Sequence, residues 1–456
     1  MKAIKIISFI IAAAVTFGCN KKLDVKPQNT ITPDQITTAE DVKGVLFGSY
    51  STLQNANAFG EMYISLPELL YGVDEIDWAG TFSTYTDFFR KEAVASNGNA
   101  YQVWGNAYQT IAGVNLVLSK LDVIEDEDEK TAIEGEAKFI RALVYFQLVN
   151  MYALPYSDGN ASTNPGVPLV LEPIDGYDPN RDKLPRATVE AVYTQIVSDL
   201  TDAVTMLPPE NENFRASSYT AQAIISRVYL AQEKYPEAAE AANDVIENGG
   251  YSLTTSYAQA FNNAVSSSED IFAIQQTSQS NSGTSNFGIT TFFSGYPVGR
   301  GEIQVTQDFI DKFDADDQRG KFVYAGQSIS GTEGFFTGKF EDLYRAIPVV
   351  RLAEMYLTRA EANFRSGAQV GPNTPLQDVS VIRDRAGADP IGSVDADAIV
   401  EERLKELAFE GERPFTLKRL KMNVGTLAFD APSLVFPIPQ REIDLGNALP
   451  QNEGYN

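Results

Sequence analysis

The chain has 456 residues, no histidine, a single cysteine and a formal net charge of −25. Without histidine, a Ser-His-Asp or Cys-His nucleophile system, an HExxH zinc site and a histidine general base are all excluded. Acidity of this size would repel a phosphate backbone, which argues against nucleic acid as a partner, and it leaves no basic patch for an anionic membrane.

Residues 1–18 read as a secretory signal. Lys2 and Lys5 form a positive start, and Ile6 to Gly18 is an apolar run broken only by Ser8 and Thr16. A bilayer span needs about 20 apolar residues, so this run is too short to cross one. Gly18 stands directly before Cys19, the chain's one cysteine. Cleavage there, with acylation of the Cys19 thiol and the freed amine, gives a lipid anchor, because two or more acyl chains hold where one does not. Residues 19–37 then read as anchor and tether. Residues 38–456 read as one domain, since no long linker or low-complexity stretch divides them.

Helical periodicity dominates that domain. Thr38 to Asp41 has the form of a capping box, and Val42, Val45, Leu46, Tyr50 and Leu53 recur on one face after it. A second helix carries Trp104, Tyr108, Ile111, Asn115 and Leu118, and a third covers Thr131 to Tyr152. A fourth starts at Thr188 and stops at Pro208-Pro209. Thr220 to Gln232 and the helix opened by Tyr235-Pro236-Glu237 form a hairpin of tetratricopeptide style, with alanines at the facing positions. Val349 to Gly367 repeats that theme, and a further helix runs from Asp397 to Glu410. Long irregular segments lie between: Tyr71 to Asn99, Tyr152 to Arg186 and Ser252 to Glu341. Ordered loops of that length in a compact domain tend to carry function.

Several segments resemble a known family. Glu136 to Phe146, Ile347 to Leu357 with Ala360-Glu361-Ala362, Val381 to Gly387, and the acidic block Glu401 to Arg413 are similar to segments of SusD/RagB proteins. So are the tail from Phe436-Pro437-Ile438-Pro439 to Tyr455 and the start, Cys19 followed by Leu23 to Gln28. These blocks stand in family order along the whole mature chain. The resemblance implies an all-α, SusD-like fold of four tetratricopeptide-like helix pairs, with long loops and minor β-hairpins. It also implies a lipid-anchored protein on the outer face of the outer membrane, partnered with a SusC/RagA-type TonB-dependent transporter. Such a protein closes over the transporter barrel and captures an oligosaccharide or, in some members, a peptide. It needs no cofactor and breaks no bond.

Within the acidic block, Glu402, Glu406 and Glu410 share one helical face at four-residue spacing. Two carboxylates so placed could flank a glycosidic bond. Acids and bases alternate here, however, and pairing with Arg403, Arg413, Lys418 and Arg419 makes the block a structural clamp. Asp314 to Gly320 fails as an EF-hand, because Gly320 is seventh and Ala325 twelfth. The resemblance implies a structural role for Asp317 and Arg319. Gly338-Lys339 fails as a phosphate loop, because Glu333 and Phe340 stand where Gly and Ser/Thr are required. No metal site is expected.

Sugar recognition needs aromatic faces beside polar groups. Of the two tryptophans, Trp104 lies on an apolar helical face and reads as core, as do Tyr145 and Tyr229. Trp78 lies instead in an acidic loop beside Asp77, Phe82 and Tyr85, where it can serve as a platform or plug the scaffold. A second candidate loop runs from Asn281 to Arg300. It offers Asn286, Phe292, Tyr296 and Arg300, with Phe287 and Phe293 beside them. Oligosaccharide and peptide both fit such a surface. A carboxylate glycosidase and a ligand-free tetratricopeptide adaptor are the competing readings.

Overall fold

Burial of one face of each long helix against its neighbours builds a stack of helices. The computed structural model describes residues 33–173, 183–212, 214–445 and 449–455. The signal 1–18, Cys19 and the tether up to residue 32 lie outside the described residues. The scaffold helices are α1 (Ala39–Gln54), α2 (Met62–Tyr71), α3 (Ser83–Phe89), α4 (Gly98–Leu118), α5 (Glu127–Tyr152), α6 (Val189–Met206), α7 (Ser218–Ala231) and α8 (Tyr235–Asn248). Helix α4 packs between α1 and α5, α5 against α6, α6 against α7, and α7 against α8. About half of the chain is helical, and the strands are few and short.

Local sequence sets the ends of these helices. The Thr38 hydroxyl accepts from Asp41 N–H while the Asp41 carboxylate takes the Thr38 N–H, so the capping box forms as expected. Helix α5 starts at Glu127, one turn before the periodic pattern suggests, because Asp126 caps it and Glu127, Asp128 and Glu129 complement the positive helix terminus. Ala238, Ala239 and Ala242 in α8 have no exposed surface and let α7 and α8 approach closely. Helix α2 carries no amphipathic signal in the sequence. All ten of its residues are buried, so it has no polar face to produce an amphipathic pattern.

The second half of the chain mixes short strands with helices. Strand β1 (Ile76–Trp78), β3 (Ile303–Val305), β4 (Val323–Gln327) and β5 (Glu333–Thr337) form an antiparallel sheet in the order β1-β3-β5-β4. Strand β2 (Asp270–Ile274) pairs with β6 (Ile347–Arg351), and both are wholly buried. The short helix α9 (Ile289–Phe293) follows β2. Two one-turn helices, α10 (Gln307–Ile310) and α11 (Gln318–Lys321), lie between β3 and β4. Then come α12 (Leu352–Ser366), α13 (Pro375–Ala386), α14 (Ala396–Glu406) and α15 (Glu412–Arg419), followed by the short α16 (Gln440–Asp444). Helix α12 packs on α8 and carries α13 and α14 on its other side. One hydrophobic cluster runs from Ile36 to Leu449. Among the described residues no helix is long and apolar enough to cross a membrane.

The expected helix Asp397 to Glu410 is interrupted. Helix α14 ends at Glu406, Phe409 and Gly411 take positive φ (66° and 82°), and α15 begins at Glu412. Glu410 therefore leaves the face that holds Glu402 and Glu406. Cations account for the break. The Lys339 ammonium donates to the carbonyls of Glu406 and Ala408, at 3.2 and 2.7 Å, and satisfies the end of the helix.

The partners of the acidic block also differ from expectation. Glu406 is held by Arg351 at 3.3 Å and by Arg385, and Glu410 by Arg351 at 2.8 Å and Lys339 at 2.6 Å. Glu402 takes Arg319 at 2.5 Å and Arg383 at 2.7 Å. Arg403 pairs instead with Glu412 and Glu354, Arg413 with Glu75, Arg419 with Glu361, and Lys418 donates to the carbonyls of Asn150 and Ala153. Bases from other elements reach in because a buried carboxylate needs an opposite charge beside it. Asp317 and Arg319, 2.7 Å apart, belong to the same buried network.

Burial alone would raise the Glu406 carboxyl, but Arg385, Arg351, Arg319 and Lys339 together hold it at about 2. It therefore contributes stability above its usual value of 4.5, and that stability is lost as pH falls toward about 2. Arg351→Met leaves Glu406 and Glu410 short of a buried partner. Chemical denaturation of this variant at neutral pH should show a loss of ~3–5 kcal/mol. The loss should shrink as the pH is lowered from 4.5 toward about 2.

Candidate functional site

Pairing of β1 with β3 joins the two candidate loops. Trp78 lies opposite Ile303, and the Ala79 N–H donates to the Glu302 carbonyl at 2.8 Å, so the loop after Trp78 meets the loop before β3. The Tyr296 N–H donates to Gln327 O and the Ile329 N–H to Arg300 O, which ties the 294–300 loop to the tip of the β4–β5 hairpin.

Aromatic rings fill the junction. The Trp78 indole stacks on Tyr85 at 5.7 Å and 14°, and Tyr85 stacks on Phe292 at 4.6 Å and 25°. Phe82 leans on both Tyr85 and Phe292, near 6 Å from each. The Trp78 indole N–H donates to Thr86 Oγ1 at 2.9 Å, which fixes the ring. Gly80 lies directly against the indole, where any Cβ would collide with the ring. The Arg300 guanidinium rests over Phe82 at 4.9 Å, an offset cation–π contact. Its Nε and Nη2 donate to Glu302 Oε1 at 2.9 and 2.6 Å, and Nη1 faces Asn286 Oδ1 at 3.4 Å.

Most of the candidate residues thus converge, but with different roles. Tyr85 is 4 % exposed and Phe292 is fully buried, so neither presents a surface to a ligand. They are the floor that holds Trp78 and Phe82, and the expectation that they touch ligand is corrected. Trp78, Phe82 and Arg300 are partly buried, and Asp77 and Asn286 are exposed. Tyr296 is 52 % exposed and stands on the adjoining loop, outside the ring stack. Phe287, 49 % exposed, adds another open ring. Phe293 packs into the core against Phe340 and Phe409. Trp104 is core, between Tyr108 and Tyr152. Tyr145 is also core, and Tyr229 packs half-buried against the main cluster.

Two buried acids beneath the platform gave no sequence signal. Glu61 has no exposed surface, and it accepts from the Tyr85 hydroxyl, from Gly288 N–H at 3.0 Å and from Ser65 Oγ at 3.3 Å. It thereby joins α2, α3 and the 283–293 loop, and Gly288 reaches it with φ of 95°, which a side chain would disfavour. Glu302 is the other. Its neighbour Arg300 is visible in the sequence, but the pairing is not.

Elsewhere, a cavity of about 70 Å³ lies inside the scaffold among Tyr63, Phe146, Lys418 and Phe436. None of its lining residues belongs to the loops that carry Trp78 and Tyr296, and its size suits a few waters rather than a glycan. The block carboxylates are poor candidates for general acids. Glu406 is held at about 2, and Glu410 is also held down by Arg351 and Lys339 against the effect of its burial. A glycosidase acid needs the opposite shift.

Comparison with known proteins agrees with this architecture. Residues 22–230 match a family described as starch-binding and associating with the outer membrane, and residues 337–428 match the SusD family. SusD-like protein P2 of Formosa agariphila is 27 % identical over 529 aligned positions, covering all of both chains. A SusD superfamily protein of Bacteroides thetaiotaomicron superposes with a TM-score of 0.81 at 24 % identity, over 92 % of this chain and 100 % of the other. A laminarin-binding SusD-like protein superposes at 0.76 with 25 % identity, over 92 % of this chain and 100 % of the other.

Burial pushes the Glu61 carboxyl up to about 8, with Glu302 adding to the effect and the hydrogen bonds from Tyr85, Gly288 and Ser65 opposing it. Such a group contributes stability fully below the usual 4.5 and loses it as pH rises through about 8. In Glu61→Gln no charge can form. Relative to the native chain, the melting temperature of the variant should therefore climb between pH 4.5 and about 8. A difference independent of pH would show that Glu61 is ionised in the fold.

Proposed function

The chain belongs to the SusD/RagB family, and from that membership we propose that it captures oligosaccharides at the outer-membrane surface for a SusC-type TonB-dependent transporter. Carbohydrate binding is the family's activity, and a fold-mate carries a name that specifies laminarin. The observation that carries the reading for this chain is the Trp78 platform. A partly buried indole, braced by Tyr85 and Phe292 and pinned through Thr86, would stack its accessible part on the C–H side of a sugar ring. Asp77, Asn286 and Arg300 supply polar groups at its edge for hydroxyls. Tyr296 and Phe287 extend the surface along the neighbouring loop.

No bond is broken in this mechanism. The ring stack is already formed, so little ordering is required on binding. The carboxylates that a glycosidase would need are committed to Arg351, Arg385 and Arg319. Cys19 would anchor the mature chain by its acyl groups, with residues 19–37 as the tether to the folded part. A transporter partner would then receive the ligand from the loop surface.

Trp78→Ala should weaken binding to a recognised polysaccharide by ~1–3 kcal/mol, roughly five- to over a hundredfold, in affinity electrophoresis. Tyr145→Phe, a buried scaffold change, should leave it unaltered. Binding to a peptide panel but to no glycan would favour the peptide reading. Cys19→Ala should move the chain from the outer-membrane fraction to the soluble fraction. Retention of that variant in the membrane fraction would overturn the lipid-anchor reading.

A further inference from the structure

The platform has unusual charge bookkeeping. Three segments meet there: 74–89, 281–305 and 323–337. Their one Lys or Arg is Arg300, against Asp74, Glu75, Asp77, Asp87, Glu302 and Glu333. Arg300 is not a free cation. Its guanidinium gives two N–H groups to Glu302 Oε1, and Glu302 is only 1 % exposed. The other bases nearby are engaged or distant. Lys312 and Arg413 both pair with Glu75, and Lys91 donates to the carbonyls of Leu69, Gly72 and Phe89. Arg90 lies at the far end of α3 from Phe82, about 12 Å away along the helix.

We infer that the site selects an uncharged glycan and rejects uronate-bearing or sulfated ones, with Glu302 as the residue that sets this preference. The inference rests on the glycan-capture reading and names its ligand class. An Arg–carboxylate pair has no net charge, yet Nη1 beside Asn286 still offers an N–H to a hydroxyl. A sulfate or carboxylate on the sugar would gain no unpaired cation. It would lose its hydration beside Asp77 and within the field of a strongly acidic chain. Glu302 thus works at one remove. Buried itself, it neutralises the one Lys or Arg that these three described segments carry.

The test is affinity electrophoresis and calorimetry on the full mature chain with matched pairs: starch, laminarin, xylan and mannan, each beside its sulfated derivative. The native protein should bind a neutral member and bind its sulfated partner at least about tenfold more weakly, a gap of ~1.4 kcal/mol. Added salt should leave the neutral affinity nearly unchanged. Equal or tighter binding of a sulfated member overturns this inference alone and leaves glycan capture standing. Absence of binding to every pair removes the glycan-capture reading and this inference with it. Glu302→Gln frees the Arg300 charge while keeping the side-chain shape. Its sulfated-to-neutral affinity ratio should rise severalfold, and an unchanged ratio denies Glu302 the role. If that variant fails to fold, the native ratio still decides between charged and uncharged ligands.

Discussion

Arg351 has none of its side chain exposed, and it holds Glu406 and Glu410 with Glu269 close by at 3.5 Å. A charge so placed is costly unless every partner is present, which makes the cluster intolerant of a missing member. Arg351 ends β6, Glu406 ends α14, and Glu410 lies in the turn before α15. One guanidinium therefore fixes how the last helices meet the buried two-stranded sheet. Arg319, Arg383, Arg385 and Lys339 extend the same network to β5 and α13.

The network reaches the candidate loops through Lys339. This residue follows β5 and is anchored on the carbonyls of Glu406 and Ala408. Strand β5 pairs with β3, and β3 pairs with β1, which presents Trp78. The rigid clamp at the base of the fold thus sets where the platform stands. Above it, a second layer of buried contacts, with Glu61 under Tyr85 and Tyr85 under Trp78, holds the rings in one attitude. Helices supply the frame, and short strands carry the position of the frame into the loops.

Sequence patterns revealed the frame better than the site. The Thr38 capping box, the alanines of α8 and the core position of Trp104 follow from local spacing, and they appear in the structure where expected. Helix α2 did not, because burial on all sides leaves no periodicity to read. The break at residues 407–411 was also illegible, since the Lys339 that caps α14 lies far away in sequence. Both candidate loops were recognised by composition, and the structure brings them together. Composition could not say which rings face inward. Tyr85 and Phe292 are covered because β1 and β3 pair in one register, and that pairing joins residues more than two hundred positions apart. The Arg300–Glu302 pair shows the same limit: its residues stand two apart, but burial of the acid is a tertiary fact.

The chain has two tryptophans, one on the platform and one in the core. Indole N–H resonances therefore separate the proposed ligand surface from the scaffold in a single spectrum, with Trp78→Phe assigning the pair. On titration with a neutral oligosaccharide that calorimetry shows to bind, the Trp78 signal should move and saturate with the binding curve, while the Trp104 signal stays in place. Saturable binding with the Trp78 signal unmoved would contradict the account and place the ligand elsewhere on the protein.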